Sequence, residues 1–149
     1  MKIWIDGDAC PNAVKNVLFK AADRLSVHTT LVANHHVRTP NSPNVHVLHV
    51  PGGFDEADNA IATRIDAGDL VITADVPLAD EVIEKGGYAL NPRGTLYTRE
   101  NIRSHRQRRD QMEELRSAGL VTSGGPPAYS TKDTQAFANA LDRFLAQHA

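Results

Sequence analysis

The sequence predicts an α/β fold of three layers, αβα, around a mainly parallel sheet, with a helical C-terminal third. Three observations predict it. Short apolar runs of strand type alternate with amphipathic helical stretches as far as residue 94, the pattern of parallel strands joined by crossover helices. One run, Asp69-Leu70-Val71-Ile72-Thr73-Ala74, is almost continuously apolar, as in strands covered on both faces. The first run, Lys2-Ile3-Trp4-Ile5, stops at Asp6-Gly7-Asp8, with Pro11 where a helix can begin. Strand, acidic turn, helix is how an open α/β sheet places chemistry at the carboxyl end of a strand.

Each element follows in order. After Pro11, near the first helical position where its missing N–H costs little, Val14, Val17, Leu18, Ala21 and Ala22 recur at helical spacing. Lys15, Asn16 and Lys20 are expected on the opposite face. Residues 27–33 are short and β-branched and read as a strand. Asn34 to Asn44 is a polar loop with Pro40 and Pro43, carrying His35, His36 and Arg38. Residues 45–50 make a third strand, stopped by Pro51-Gly52-Gly53. A helix is expected from Asp55, with Ala57, Ile61, Ala62 and Ile65 inward and Gly68 at its end. The strand at 69–74 delivers Asp75. Leu78 to Lys85 is a short helix, and Tyr88 to Asn91 a final short strand ended by Pro92-Arg93-Gly94. Thr98 to Ala118 is a long charged helix and Gly119 to Tyr129 a Gly/Pro linker. Ser130 with Asp133 starts a closing amphipathic helix through Phe137, Leu141, Phe144 and Leu145.

The chain of 149 residues is one domain's worth, an α/β core over 1–94 and C-terminal helices over 95–149. At net charge −2 the whole molecule is no electrostatic magnet for nucleic acid, so any basic face must be local. A single cysteine, Cys10, excludes an internal disulfide and a cysteine-based zinc finger. No basic-then-apolar leader opens the chain and no apolar run approaches membrane-spanning length, so a cytoplasmic protein is expected.

Two constellations carry chemistry. The first is acidic: Asp6 and Asp8 end the first strand, Asp75 ends a later one, and Asp55 and Asp58 share a helix face. Asp80 follows at the next helix start. Hard ions such as Mg²⁺ or Mn²⁺ need a few converging carboxylates, which would otherwise repel one another. Aspartates are also common helix caps, and Asp55 and Asp80 read equally well as caps. Asp23, Asp66 and Asp69 read as surface charges. The second constellation is basic: Arg93, then Arg99, Arg103, Arg106, Arg108 and Arg109, with Arg99, Arg103 and Arg106 as one helical stripe beside His105. Such a stripe can follow phosphates. It can equally be a solvated face pairing with Asp110, Glu113 and Glu114. Cys10 at a helix start could carry a lowered thiol pKa. His35 or His36 could lie near a substrate, His46 and His49 face opposite sides of their strand, and Thr73 reads as core. Asn91 and Arg93, just past the last strand, could contact a scissile phosphate.

On these residues the chain resembles the YaiI/YqxD family of bacterial proteins over nearly its full length. The likeness rests on Ile5-Asp6-Gly7-Asp8-Ala9-Cys10-Pro11, Ala57-Asp58-Asn59-Ala60-Ile61, the run from Val71 to Ala79, and Asn91-Pro92-Arg93-Gly94. That family is grouped with PIN-like and NYN-like nuclease domains, so the resemblance implies a Rossmann-like, PIN-like fold. It also implies Mg²⁺ or Mn²⁺ held by aspartates, and RNA as the partner cleaved. Matched residue by residue, Asp6 is the first-strand acid, Asp58 the helix acid and Asp75 the later-strand acid. Two positions depart from the NYN-like pattern: Ala9 stands where an asparagine is usual, and Pro77 where a second later-strand aspartate is usual, with Asp80 the substitute from the next helical turn.

The expectation is a metal-dependent phosphodiester hydrolase, RNA favoured. Asp6, Asp8, Asp58 and Asp75 would be catalytic, Asp80 a further ligand, and Arg93, Arg99, Arg103, Arg106 and Arg109 would hold the strand. The alternatives are a non-catalytic nucleic-acid- or nucleotide-binding protein of the same fold, and a small-molecule phosphatase.

Overall fold

In a computed structural model describing residues 1–53, 55–119 and 128–148, six strands form one sheet. They are β1 (Ile3–Asp6), β2 (Thr29–Ala33), β3 (Val45–His49), β4 (Leu70–Ile72), β5 (Tyr88–Leu90) and β6 (Leu96–Tyr97). The helices are α1 (Asn12–Leu25), α2 (Glu56–Arg64), α3 (Val76–Glu84), α4 (Arg99–Ser117) and α5 (Thr131–His148). The spatial order is β3-β2-β1-β4-β5-β6, parallel except for the last pair. Strand order therefore reverses between β1 and β4, and the crevice at such a switch point is where open α/β sheets bind ligands.

Alternation along the strands sends side chains into two cores. Ile3, Ile5, Leu70, Ile72 and Leu90 pack beneath α1 and α5, against Val14, Leu18, Phe137, Leu141 and Phe144. Trp4, Val32, Val71 and Ala89 pack on the other face with Ile61 of α2, Leu78 and Val82 of α3, and Ile102 of α4. The three expected layers are there. Phe137, fully buried, contributes about 1.5–3 kcal/mol through its removal from water, enough to fasten α5 to the sheet.

Several local expectations are corrected. Tyr88–Leu90 is not the last strand: Asn91 to Thr95 makes a turn that returns the chain as antiparallel β6. Gly94 permits this turn, since its φ is 95° and a Cβ there would lie 2.8 Å from the Ala136 carbonyl oxygen. The third helix begins at Val76, with Asp75 as its cap accepting from the Leu78 N–H at 2.8 Å. Asp55 occupies the N-cap position of α2 but its side chain makes no capping bond, and its φ is 62°. The second helix ends at Arg64, before the expected Gly68. Lys15 is buried rather than outward, because α1 buries the rows Val14/Leu18 and Lys15/Phe19 together. Asp69 is not a surface charge: it is 2% exposed and accepts from the Lys2 N–H, the Trp4 indole and the Asp66 N–H. Thr98 and Asn101 cap α4 reciprocally, and Asp133 accepts from the Ser130 N–H at the start of α5. Most of the expected Gly/Pro linker, residues 120–127, lies outside the described residues.

Candidate functional site

The site is built at the carboxyl end of the sheet. Pairing of Ile5 with Ile72 sets Asp6, at the tip of β1, level with Thr73 just beyond β4. The Thr73 hydroxyl donates to Asp6 Oδ2 at 3.1 Å and accepts from the Asp75 N–H at 3.0 Å. One threonine thus fixes both strand-end acids. Gly7 lets the acidic turn pass tightly over β2: its N–H reaches the Val32 carbonyl at 2.8 Å, and a Cβ would sit equally close to that oxygen. Asp58 enters from the first turn of α2, which packs on β1 and β2.

Electrostatics show how closely these acids are set. Burial raises the Asp6 carboxyl above its usual range; the Thr73 bond opposes this, Asp75 and Asp8 add to it, and Lys15 counters. Asp58 is pushed up to about 7, first by burial, then by Asp75, Asp6, a carboxyl–carboxyl hydrogen bond with Asp75, and Asp55. Excess negative charge is concentrated here, and near neutrality a proton held by Asp58 offsets part of it. Among the described residues no group of three or more His, Cys, Asp or Glu side chains stands ready to hold a metal ion.

The remaining predicted residues separate. Asp8 turns to the β2–β3 loop, accepting from the Asn34 N–H at 3.0 Å, with His35 Nδ1 2.6 Å away. Asp80 points to α4 and pairs with Arg106 at 2.6 Å. Arg93 pairs with Asp133 at 3.0 Å and lies over the Tyr129 ring. Along α4, Arg99 donates to the Ile83 carbonyl and Arg109 meets Asp110 and Glu113. Arg103 lines a groove of about 350 Å³ with Arg99, Arg106 and Asp80. Asn91 uses its carboxamide on the Tyr97 hydroxyl and the Arg93 N–H. The Cys10 thiol, for which a helix start could have meant a lowered pKa, is instead pushed to about 12 by burial and then by Asp6. It donates to the Ile72 carbonyl and is part of the core.

Sequence reasoning passed over three residues at this end of the sheet. Thr73 looked like core because it ends an apolar run. Lys15 is polar and so reads as outward, although the spacing Lys15/Phe19/Ala22 marks a buried face as well as Val14/Leu18 does. Tyr97 lies on the unforeseen β6, buried, with Asn91 on its hydroxyl; burial first, then Asp75, raises its pKa, with the Asn91 bond opposing. An aromatic three residues past the Pro92-Arg93-Gly94 turn was the one available signal.

The arrangement has relatives over its whole length. A UPF0178 protein of Syntrophotalea carbinolica is 60% identical over 148 residues, 99% of each chain. A UPF0178 protein of Janthinobacterium sp. is 58% identical over 99% of this chain and 97% of its own. One of Thioalkalivibrio sulfidiphilus is 58% identical over 99% of each. Residues 4–147, which carry every acid of the site, match the family described as uncharacterized BCR, YaiI/YqxD; this chain belongs to that family.

Proposed function

We propose that the protein is a divalent-metal-dependent hydrolase of phosphodiester bonds, with RNA as the favoured substrate. The observation that carries this reading is the placement of Asp6 and Asp75 at the ends of the paired strands β1 and β4, tied together through Thr73, with Asp58 close enough for both to raise its carboxyl. Structural aspartates spread out or pair with cations. Here Asp75 and Asp6 act on Asp58 and hold its carboxyl above the usual range, after burial.

The donor set suits Mg²⁺ or Mn²⁺: hard oxygens only, in excess negative charge, at a partly open end of the sheet. Asp6, Asp58 and Asp75 would hold the ion, with Asp8 at the rim. When bound, the ion supplies an activated water and offsets charge on the phosphate. The chain's own residues do the rest. Thr73 holds Asp6 and the Asp75 backbone in register. The Asp75 carboxylate is oriented by its capping bond to Leu78. Lys15 moderates the field at Asp6.

The test is cleavage of labelled single-stranded RNA with and without Mn²⁺, beside Asp6→Asn and Asp75→Asn. Metal-dependent cleavage lost in both variants is expected. Cleavage indifferent to metal and to both substitutions sinks the reading. Turnover of small phosphoesters alone would replace it with a phosphatase.

A further inference from the structure

A cleft of about 780 Å³ opens between α1 and the loop joining β2 to β3. Lys15, Lys20, His35, His36 and Arg38 line it, and no described carboxylate does. Lys20 and Arg38 are exposed, and among the described residues neither has an acid within ion-pair distance. In a chain of net charge −2, this is a local concentration of positive charge.

One close pair and one charge interaction tie the cleft to the acidic end of the sheet. Lys15 lines the cleft and acts electrostatically on Asp6. His35 lines it too, with Nδ1 2.6 Å from Asp8 Oδ1. A ligand lying along the cleft therefore meets cations first and the carboxylates at its end. The arginine groove on α4 is built otherwise. It is less than half the size, includes Asp80 and Glu84, and Arg106 is already paired there.

We propose that the α1/β2–β3 cleft is the track for single-stranded nucleic acid, holding the phosphates that flank the bond presented to Asp6, Asp58 and Asp75. The inference rests on the phosphodiester reading above. Lys20 supplies a mobile point charge and Arg38 a planar fork, both suited to phosphate oxygens. Phe19 and Val37 add an apolar patch for sugar or base. The volume lies in the range of ligand-binding clefts.

Fluorescence anisotropy of a labelled oligouridylate in EDTA, over a salt series, tests this. The double variant Lys20→Glu/Arg38→Glu is compared with Arg103→Glu/Arg108→Glu on α4; all four positions are exposed, and circular dichroism checks folding. Binding is expected to weaken about tenfold or more in the cleft variant, with the log–log salt slope flatter by roughly 1.4, and to change far less in the α4 variant. An α4 effect equal to or greater than the cleft effect overturns the proposal. So does wild-type protein that binds no oligouridylate, or competition by AMP and inorganic phosphate as strong as by the oligonucleotide. Asp75→Asn, assayed in parallel for cleavage in Mn²⁺, separates the two readings. Cleft-dependent binding without cleavage by the wild type upholds the track and removes the hydrolase.

Discussion

Asp69 and Asp6 are both buried aspartates on the same sheet, one at the start of β4 and one at the end of β1, and their surroundings are opposite. Asp69 accepts from three N–H donors, at 3.0 Å from Lys2, 3.1 Å from the Trp4 indole and 2.9 Å from Asp66, with the Lys2 ammonium 3.9 Å away. Asp6 accepts one side-chain bond among the described residues, from Thr73, and sits beside Asp75, Asp8 and Asp58. A buried charge is tolerated when hydrogen bonds and an opposite charge satisfy it. The amino end of the sheet meets that condition and the carboxyl end does not. The first aspartate ties the chain together; the second stands in a charge excess that its single hydrogen bond does not offset.

The widest gap between the two ends should appear in activity. Asp75→Asn keeps the cap on α3, because asparagine caps as well as aspartate, yet should lower RNA cleavage by about 10²–10³-fold or more. A variant that cleaves at the wild-type rate would erase the distinction. Asp69→Ala should do the reverse, costing about 2–4 kcal/mol in urea unfolding by stranding the Trp4, Lys2 and Asp66 donors, while the folded protein keeps its cleavage rate. Thr73→Val removes the donor to Asp6 and should cost about 2 kcal/mol at about pH 8, with a smaller cost where Asp6 is protonated.

The smallest effect has the opposite sign. Asp58 titrates at about 7 in the fold against 3.8 ordinarily, so between those values the native state holds a proton that the unfolded chain has released. Stability therefore falls as pH rises through that window, and the Asp58 contribution is most unfavourable above it. Asp58→Asn should raise stability by about 1 kcal/mol at about pH 8, a figure discounted for the partial solvation of the group. The gain should shrink towards about pH 4. A thermal-denaturation series showing a gain independent of pH would mean that Asp58 is not strained by its neighbours.

Some of this was legible in the chain. Strands β1 and β4 announce themselves because burial on both faces leaves an apolar run, and acids directly after such runs fall at the carboxyl edge. Asp6 and Asp75 needed only that logic, and Asp58 the likeness to related domains. Strand β6 was invisible: it has two residues, Leu96 is exposed, and its pairing comes from the turn at Gly94 packed against α5. Asp69 misled because an aspartate before a strand looks like turn chemistry, and its donors Lys2 and Trp4 lie more than sixty residues away. The arginines of α4 follow the same rule, since the Asp80 partner of Arg106 belongs to another helix.

Periodicity by itself determined the types and approximate bounds of every element except β6, the covering of β4 on both faces and the positions of the strand-end acids. Only the tertiary structure decided which acid is satisfied and which is left in charge excess. It also turned Lys15 inward, set Thr73 between two aspartates, and placed a basic cleft beside them. The physical reason is range. Patterning records whether a side chain faces water or core, whereas the free energy of a buried charge depends on donors and charges that folding brings from distant parts of the chain.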